Sequence, residues 1–208
     1  MSYPNRKYDV FLEKRNMNES FFRAVHHILK ARSYDGMKVP LMKLFVNDDR
    51  ICATNGHVLS WINTTPEIRK QFIDSSKINV AKNGLYTVMR SLQSSIHLEK
   101  SAYKLSDYPI VQDVIPDFSN YHTCSIIPGW SIKNDISLVK MALYNKKHDV
   151  TFTVIEKAYE PNSTIHYNDN PLDPVIFENH FGSFIVYSLF MPIRSDFNQI
   201  QYHDEKEM

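Results

Sequence analysis

The chain has 208 residues, of which 43% are hydrophobic and 23% are charged, and its 24 Lys and Arg against 23 Asp and Glu give a formal charge of +1. This composition is typical of a globular protein, and it excludes both a disordered chain and a strongly basic nucleic-acid coat. The two cysteines, Cys52 and Cys124, exclude a disulfide framework and a zinc ribbon and suit the reducing cytoplasm. No apolar run follows the N-terminus and none approaches about 18 residues, so we expect neither a signal peptide nor a transmembrane helix.

The first half of the chain mixes strand and helix signals. Asn18 is a good helix N-cap, and the apolar residues behind it have helical spacing, which predicts a helix over residues 19–32. The same spacing of Leu85, Val88, Met89 and Leu92 predicts a second helix that ends near residue 95. A short helix is predicted over residues 67–72. Strands are predicted over residues 8–12, 41–46, 50–54, 58–61, 77–80, 96–99 and 102–105.

The second half begins with a segment bracketed by prolines. Pro109 and Pro116 enclose an apolar run, and because proline cannot donate a ladder hydrogen bond, residues 106–118 are predicted to form an edge strand or an ordered linker. A third helix is predicted over residues 134–146, and a mobile loop over residues 161–174, which are rich in Asn, Asp and Pro. Strands are predicted over residues 123–127, 150–156, 175–177 and 183–191. Together these elements predict an α+β fold in which helices cover one face of antiparallel sheets.

Enzymatic motifs are scarce in this sequence. Its five glycines do not form a phosphate-binding loop or a serine-hydrolase elbow, which argues against both enzyme classes. A metal-dependent enzyme is a distant alternative, with His166 and His180 as its principal ligands. Imidazoles and carboxylates suited to zinc or manganese are His166, Asp169, Asp173, Glu178 and His180. Their spacing matches no metal motif, so a polar loop is the favoured interpretation.

Three separated segments, in one order, resemble the bacterial DNA polymerase III β subunit, the sliding clamp. Residues 53–59, Ala-Thr-Asn-Gly-His-Val-Leu, resemble that family's A-T-D-G-H-R-L. Residues 108–116, which begin Tyr-Pro and end Val-Ile-Pro, resemble its F-P-D-Y-R-R-V-L-P. Residues 187–194, which end Phe-Met-Pro-Ile-Arg, resemble its V-M-P-M-R-L, and residues 78–84 resemble its V-P-R-K-G. The resemblance covers about residues 19–194.

The resemblance implies a sliding-clamp-like (DNA clamp) fold with a hydrophobic pocket that receives short linear peptides from polymerases, the clamp loader and repair proteins. Carried over onto matching positions, the pocket candidates are Thr54, Gly56, His57, Leu59, Pro109, Val114, Met191, Pro192, Ile193 and Arg194. Methionine and aliphatic side chains give adaptable apolar walls, which suits such a role. The resemblance implies no catalytic residue, no metal and no cofactor.

The implied function is a cytoplasmic, non-enzymatic processivity factor that tethers a DNA polymerase to double-stranded DNA as a homo-oligomeric ring. We expect a clamp-like domain over residues 1–118, a shortened one over residues 119–198 and a polar tail over residues 199–208, as in phage or mobile-element forms. The family's arginines correspond here to Val58, Gln112 and Asp113, so we expect partner binding at this place and DNA contact at the helices. The alternative is a clamp-fold adaptor that binds peptides without encircling DNA.

Overall fold

A computed structural model describes residues 9–16, 18–66, 68, 83–125, 128 and 131–191. The strands are β1 (Asp9–Glu13), β2 (Lys43–Val46), β3 (Arg50–Thr54), β4 (Val58–Asn63), β5 (Gly84–Ser91), β6 (Ser95–Lys100), β7 (His122–Ser125), β8 (Thr164–Tyr167), β9 (Val175–Phe181) and β10 (Phe184–Phe190). The α-helices within these residues are α1 (Glu19–Lys30), α2 (Ile132–Asn145) and α3 (Phe152–Ala158). Short 3₁₀ helices span Lys14–Asn16, Val39–Met42, Leu105–Asp107 and Val111–Val114.

The ten strands form one sheet in the order β1-β6-β5-β2-β3-β4-β10-β9-β8-β7. Every pairing along it is antiparallel. The pair β4 and β10, sixth and seventh in that order, joins the early and late parts of the chain and sets Leu59 opposite Leu189. The α+β prediction is therefore confirmed, while the predicted division at residue 118 stays a prediction.

Helix α1 covers the centre of one sheet face. Its N-cap is Asn18, whose side-chain oxygen accepts hydrogen bonds from the backbone nitrogens of Ser20 at 2.9 Å and Phe21 at 3.3 Å. These bonds satisfy amides that have no partner inside the helix. The buried side of α1 packs on β3, β4, β9 and β10. The helix predicted over residues 19–32 is confirmed.

Helices α2 and α3 cover the same face of the sheet beside α1. Ser131 caps α2, with its hydroxyl accepting from the backbone nitrogen of Asn134 at 3.4 Å. Ile136, Val139 and Leu143 of α2 form one core cluster with Ile155 of α3 and with side chains of β4, β8, β9 and β10. The third predicted helix is thus confirmed, and all three described helices lie on one face of the sheet.

The opposite face is covered by residues 105–118, which we call the proline segment. Its Tyr108 and Val111 are buried against the sheet residues Cys52, Trp61 and Leu189. Aromatic contacts extend this packing, with ring centroids 5.2 Å apart for Phe45 and Tyr108 and 5.4 Å apart for Trp61 and Tyr187. The segment forms an ordered linker, which was one of the two predictions for it.

Two predictions between residues 85 and 105 are wrong. The helix predicted from Leu85 onward is strand β5, which is hydrogen-bonded to β2 on one side and to β6 on the other. Leu85 and Tyr86 are buried in core clusters on opposite faces of the sheet, as neighbouring strand residues are. Residues 102–105 form a turn that leads into a 3₁₀ helix and not a strand.

Two predictions in the second half are also wrong. The strand predicted over residues 150–156 is largely helix α3, which buries Ile155 and Ala158 three positions apart. The loop predicted over residues 161–174 contains β8, with Ile165 and Tyr167 buried on one face. The predicted strand over residues 77–80 and the tail over 199–208 lie outside the described residues, as does the predicted helix over 67–72 except for residue 68. No helix in the described part of the chain has the length and apolarity needed to cross a membrane.

Candidate functional site

The turn between β3 and β4 is held in a fixed shape by its own side chains. The Asn55 side-chain oxygen accepts hydrogen bonds from the backbone nitrogens of His57 at 2.9 Å and Val58 at 2.8 Å. The Thr54 hydroxyl donates to the carbonyl of Val58 at 2.7 Å and accepts from the backbone nitrogen of Gly56 at 3.1 Å. Gly56 has φ +88°, a backbone conformation that favours glycine and that is typical of an Asn-Gly turn.

This turn forms one end of a groove of about 520 Å³. Three further parts of the chain complete it: the proline segment, the residue before β9, and the end of β10. The lining residues are Thr54, Gly56, His57, Val58, Leu59, Pro109, Val111, Asp113, Val114, Pro116, Pro174, Leu189 and Met191. The groove therefore exists only when strands from distant parts of the sequence are in register.

The floor and the rim of the groove differ in exposure. Leu59, Val111 and Leu189 form the floor and belong to the core cluster under the proline segment. Val114 and Met191 stand on the rim, where 53% and 57% of their surfaces are exposed. A rigid apolar floor with exposed apolar rims is the usual form of a site that binds a hydrophobic ligand.

The groove contains few polar groups that a ligand could use. The Thr54 hydroxyl is already hydrogen-bonded within the turn. The ionisable side chains in the lining are those of His57 and Asp113, and both residues are exposed. Orientation of a ligand in this groove therefore depends on these two side chains and on the surrounding backbone.

The structure brings most of the predicted site residues together. Seven candidates line this one groove, namely Thr54, Gly56, His57, Leu59, Pro109, Val114 and Met191. Pro192, Ile193 and Arg194 lie outside the described residues. The role of all ten candidate residues in peptide binding stays a prediction.

Several lining residues were not among the candidates. Val111, Asp113 and Pro116 lie inside the second motif, so the motif itself could have indicated them. Leu189 is placed by its pairing with Leu59 across β4 and β10. Pro174 joins the groove only because β9 pairs with β10, and no local sequence signal points to it.

A buried polar network lies on the helix face, above β4 and β10. One oxygen of Glu160 lies 2.9 Å from His27 Nδ1 and 2.6 Å from Lys30 Nζ. His27 Nε2 lies 3.3 Å from the Ser188 hydroxyl, which in turn lies 2.8 Å from the Ser60 hydroxyl. We call these five side chains, together with Asn179, the polar network.

The hydrogen bonds of Asn179 determine which ring nitrogen of His27 carries the proton. Its amide nitrogen donates to the Ala158 carbonyl at 2.9 Å and lies 3.3 Å from His27 Nε2, while its oxygen accepts from the backbone nitrogen of Glu160 at 3.2 Å. An amide nitrogen only donates, so Nε2 accepts and Nδ1 carries the proton that is donated to Glu160. The imidazole is thus neutral, in agreement with the lowering of the His27 pKa by burial.

The carboxyl of Glu160 is charged. Burial opposes its ionisation, but hydrogen bonds from His27 and Lys30 outweigh that effect and lower the pKa of Glu160 to about 2. A Ser, His and Glu in hydrogen-bonded order can activate a nucleophile when a substrate reaches the serine. Ser188 and His27 are buried between α1 and the sheet, at 0% and 1% exposed, so this arrangement stabilises the fold.

The metal alternative gains no support from the geometry. His166 Nε2 and His180 Nε2 each contact Glu178, at 3.1 Å and 3.0 Å, and His122 contacts Asp169 at 3.2 Å. Across the residues that the structure describes, no three His, Cys, Asp or Glu side chains are arranged to hold a metal ion. These pairs are ordinary surface and strand-to-strand contacts.

Comparison with solved structures finds the same fold in bacterial DNA polymerase III β subunits. The match to the subunit from Borrelia burgdorferi, solved in complex with a natural product, has a TM-score of 0.51 at 12% identity and covers 93% of this chain and 66% of that one. The Streptococcus pneumoniae β chain matches with a TM-score of 0.50 at 10% identity, covering 94% and 67%. The Caulobacter crescentus β subunit matches with 0.50 at 13%, covering 94% and 69%.

These likenesses establish the fold. The chain has a shortened sliding-clamp fold, and the predicted resemblance to the bacterial clamps is confirmed at that level. It spans just under two thirds of the Borrelia burgdorferi chain. No protein-family model matches the sequence, and no curated protein matches it either.

Proposed function

We propose that this protein binds a short linear peptide of a DNA polymerase or clamp loader in the groove, and that it serves as a sliding-clamp-like processivity factor in the cytoplasm. The observation that carries the proposal is the groove itself. Three segments that resemble clamp motifs, separated by about 50 and 70 residues in sequence, contribute to one apolar depression. The proposed role is binding and tethering, with no catalytic step.

The dimensions of the groove suit a few side chains of an extended peptide. Sites for small ligands range from about 300 to 1,000 Å³, and this groove has about 520 Å³. Val111 and Leu189 are almost fully buried in the floor, so a ligand meets a surface that is already formed. Binding then gains chiefly from covering Val114 and Met191, at about 25 cal/mol for each Å² of apolar surface removed from water.

Tethering to DNA requires copies of the chain to form a ring. Strands β1 and β7 end the sheet on its two sides and have no neighbour beyond them among the described residues. Edge strands of this kind pair readily with another chain. We propose that copies associate through these edges, with the helices facing double-stranded DNA that is held without sequence-specific contacts.

A second candidate, an adaptor that binds peptides without encircling DNA, is favoured by the surface of α2. Leu138, Met141 and Tyr144 lie on the solvent side of this helix and are 42%, 56% and 53% exposed. Apolar side chains of this number are unfavourable on a helix that faces a water-filled channel with DNA. They are better suited to contact with a protein.

Peptide binding is tested by titrating a labelled clamp-binding peptide into the protein and following fluorescence anisotropy. Met191→Ala and Pro109→Ala should each weaken binding about fivefold to tenfold, because each removes apolar surface from the groove lining. Met37→Ala is the matched control, since this methionine is 91% exposed and lies outside the groove. Absence of binding, or binding that neither groove variant weakens, would reject the proposal.

Ring formation is tested by light scattering of the full chain with and without circular double-stranded DNA. A closed oligomer that remains on circular DNA and leaves it after linearisation is expected of a processivity factor. A monomer at micromolar concentration in both conditions, with peptide binding retained, would identify the adaptor.

A further inference from the structure

We infer that the groove selects peptides carrying Lys or Arg beside their apolar residues, and that Asp113 is the residue that determines this specificity. The inference rests on the proposed function of the groove as a peptide site. It extends that function by specifying the charge of the bound peptide, which the apolar lining does not determine.

Asp113 lies in the groove lining between a floor residue and a rim residue. It lies in the 3₁₀ helix Val111–Val114, between Val111 of the buried floor and Val114 of the exposed rim. All three residues contribute to the lining. A peptide whose apolar side chain covers Val111 and Val114 therefore places its neighbouring residue beside an exposed carboxylate.

The carboxylate of Asp113 differs from the other two acids near it in the chain. Asp107 accepts a hydrogen bond from the backbone nitrogen of Lys104 at 2.8 Å, and Asp117 accepts one from that of Ser119 at 3.0 Å. Within the ranges that the structure describes, no hydrogen bond or ion pair engages the side chain of Asp113. Among the described residues its oxygens therefore meet no partner, whereas the other two carboxylates shape the backbone.

The charged residues in the groove lining also favour a cationic ligand. No lysine or arginine is present among the lining residues in the described part of the chain, and the other ionisable member is His57. A cationic group next to Asp113 gains one attractive pair, while an acidic group meets repulsion. An exposed pair of this kind changes affinity about twofold to fivefold, and salt weakens the effect.

The test uses three labelled octapeptides, Gly-X-Leu-Ser-Leu-Phe-X-Gly, in which X is Lys, Gln or Glu. Each is titrated into the full chain at neutral pH, at low and at high salt. We expect the Lys peptide to bind most tightly and the Glu peptide most weakly, with about a fivefold difference or more at low salt that shrinks at high salt. Asp113→Asn should remove most of this difference, and Asp113→Lys should reverse it.

Glu156→Gln is the matched control, because Glu156 is an exposed acid on α3 outside the groove lining. It should leave the order of the three peptides unchanged. Thermal melts of all variants should coincide with that of the native chain, since Asp113 is exposed and forms no described contact. A change in affinity then reports on the groove and not on folding.

The outcomes separate this inference from the proposed function. If none of the three peptides binds and the clamp-binding peptide fails as well, the proposed function is wrong. If peptides bind with equal affinity whatever their charge, the groove binds peptides but Asp113 does not select among them. Tighter binding of the Glu peptide by the native chain would overturn the inference, because the Asp113 carboxylate would then not set the charge preference of the groove.

Discussion

The two faces of the strand pair β4 and β10 use their side chains in opposite ways. On the helix face, Ser60 and Ser188 belong to the polar network and are fully buried under α1. On the other face, Leu59 and Leu189 form the floor of a groove that is open to solvent. Polar groups are thus hidden on one side and apolar groups are presented on the other.

Because of this contrast, we expect the helix face to determine folding stability and the groove face to determine the proposed peptide binding. Buried polar groups are tolerated only when they are hydrogen-bonded, and the members of the polar network have partners within the fold. The groove leaves Val114 and Met191 exposed, which costs solubility unless another molecule covers them. Changes on the helix face should therefore affect unfolding, and changes at the groove rim should affect peptide affinity.

The largest expected effect is that of acid on the polar network. The pKa of Glu160 is about 2 in the folded chain against an ordinary 4.5, so its contribution of about 3 kcal/mol is present above pH 4.5 and is lost as the pH falls toward 2. The pKa of His27 is lowered from 6.5, so protonation favours the unfolded chain and stability already declines as the pH falls below 6.5.

Urea unfolding between pH 7 and pH 3 measures this effect. Glu160→Gln should lower the free energy of unfolding at pH 7 and flatten its dependence on pH below 4.5. Glu156→Gln, an exposed acid on the same side of the sheet, should keep the native profile. If the unfolding free energies of the native chain and of Glu160→Gln changed with pH in the same way, protonation of Glu160 would not contribute to the pH dependence of stability.

A smaller loss is expected when the amide of Asn179 is removed. Asn179→Ala removes the side-chain donor to the Ala158 carbonyl and leaves the Glu160 backbone nitrogen with the Ser163 hydroxyl as its acceptor, which should cost about 2 kcal/mol of unfolding free energy. Peptide affinity should stay the same, because Asn179 points to the helix face. Asn134→Ala on the exposed side of α2 should change stability by less than about 0.5 kcal/mol. A loss of peptide binding in folded Asn179→Ala would contradict the separation of the two faces.

The groove rim should show the reverse behaviour. Val114→Ala should weaken binding of a clamp-binding peptide about fivefold while changing the unfolding free energy by less than about 0.5 kcal/mol, since Val114 is 53% exposed. Ile110→Ala is the matched control: Ile110 is 67% exposed on the same proline segment but does not line the groove. Equal losses of affinity in both variants would place the peptide elsewhere.

The smallest expected effect concerns the turn at one end of the groove. Gly56→Ala should cost about 1 kcal/mol of stability, because φ is +88° there, although an added Cβ meets only the Leu41 side chain at 3.9 Å. Gly36→Ala should be neutral, since nothing lies within 4 Å of an added Cβ and its φ is not positive. Unchanged stability in Gly56→Ala would show that the turn shifts to relieve the strain.

Local signals in the sequence were sufficient where an element depends on its own residues. Asn18 and the apolar residues after it specify α1, and Asn55-Gly56 specifies the turn between β3 and β4. The clamp fold and seven lining residues of the groove followed from short motifs and not from periodicity.

Local signals failed where pairing with distant strands decides the structure. Leu85, Val88 and Met89 fit a helix by spacing, but β2 and β6 on either side supply a full ladder for an extended chain. Val150 to Glu156 alternates like a strand, but α3 forms because Ile155 packs into the core beneath α2. Asn179 and His27 lie 152 residues apart, so no local pattern could reveal the polar network.

The central position of β10 has a consequence for how the protein is made. Leu189 is among the last described residues to leave the ribosome, yet it lies between β4 and β9 in the middle of the sheet. A growing chain that ends before Phe184 holds Leu59 and Val111 but cannot complete the floor of the groove. The groove is therefore completed only after β10 has been synthesised and has paired with β4 and β9.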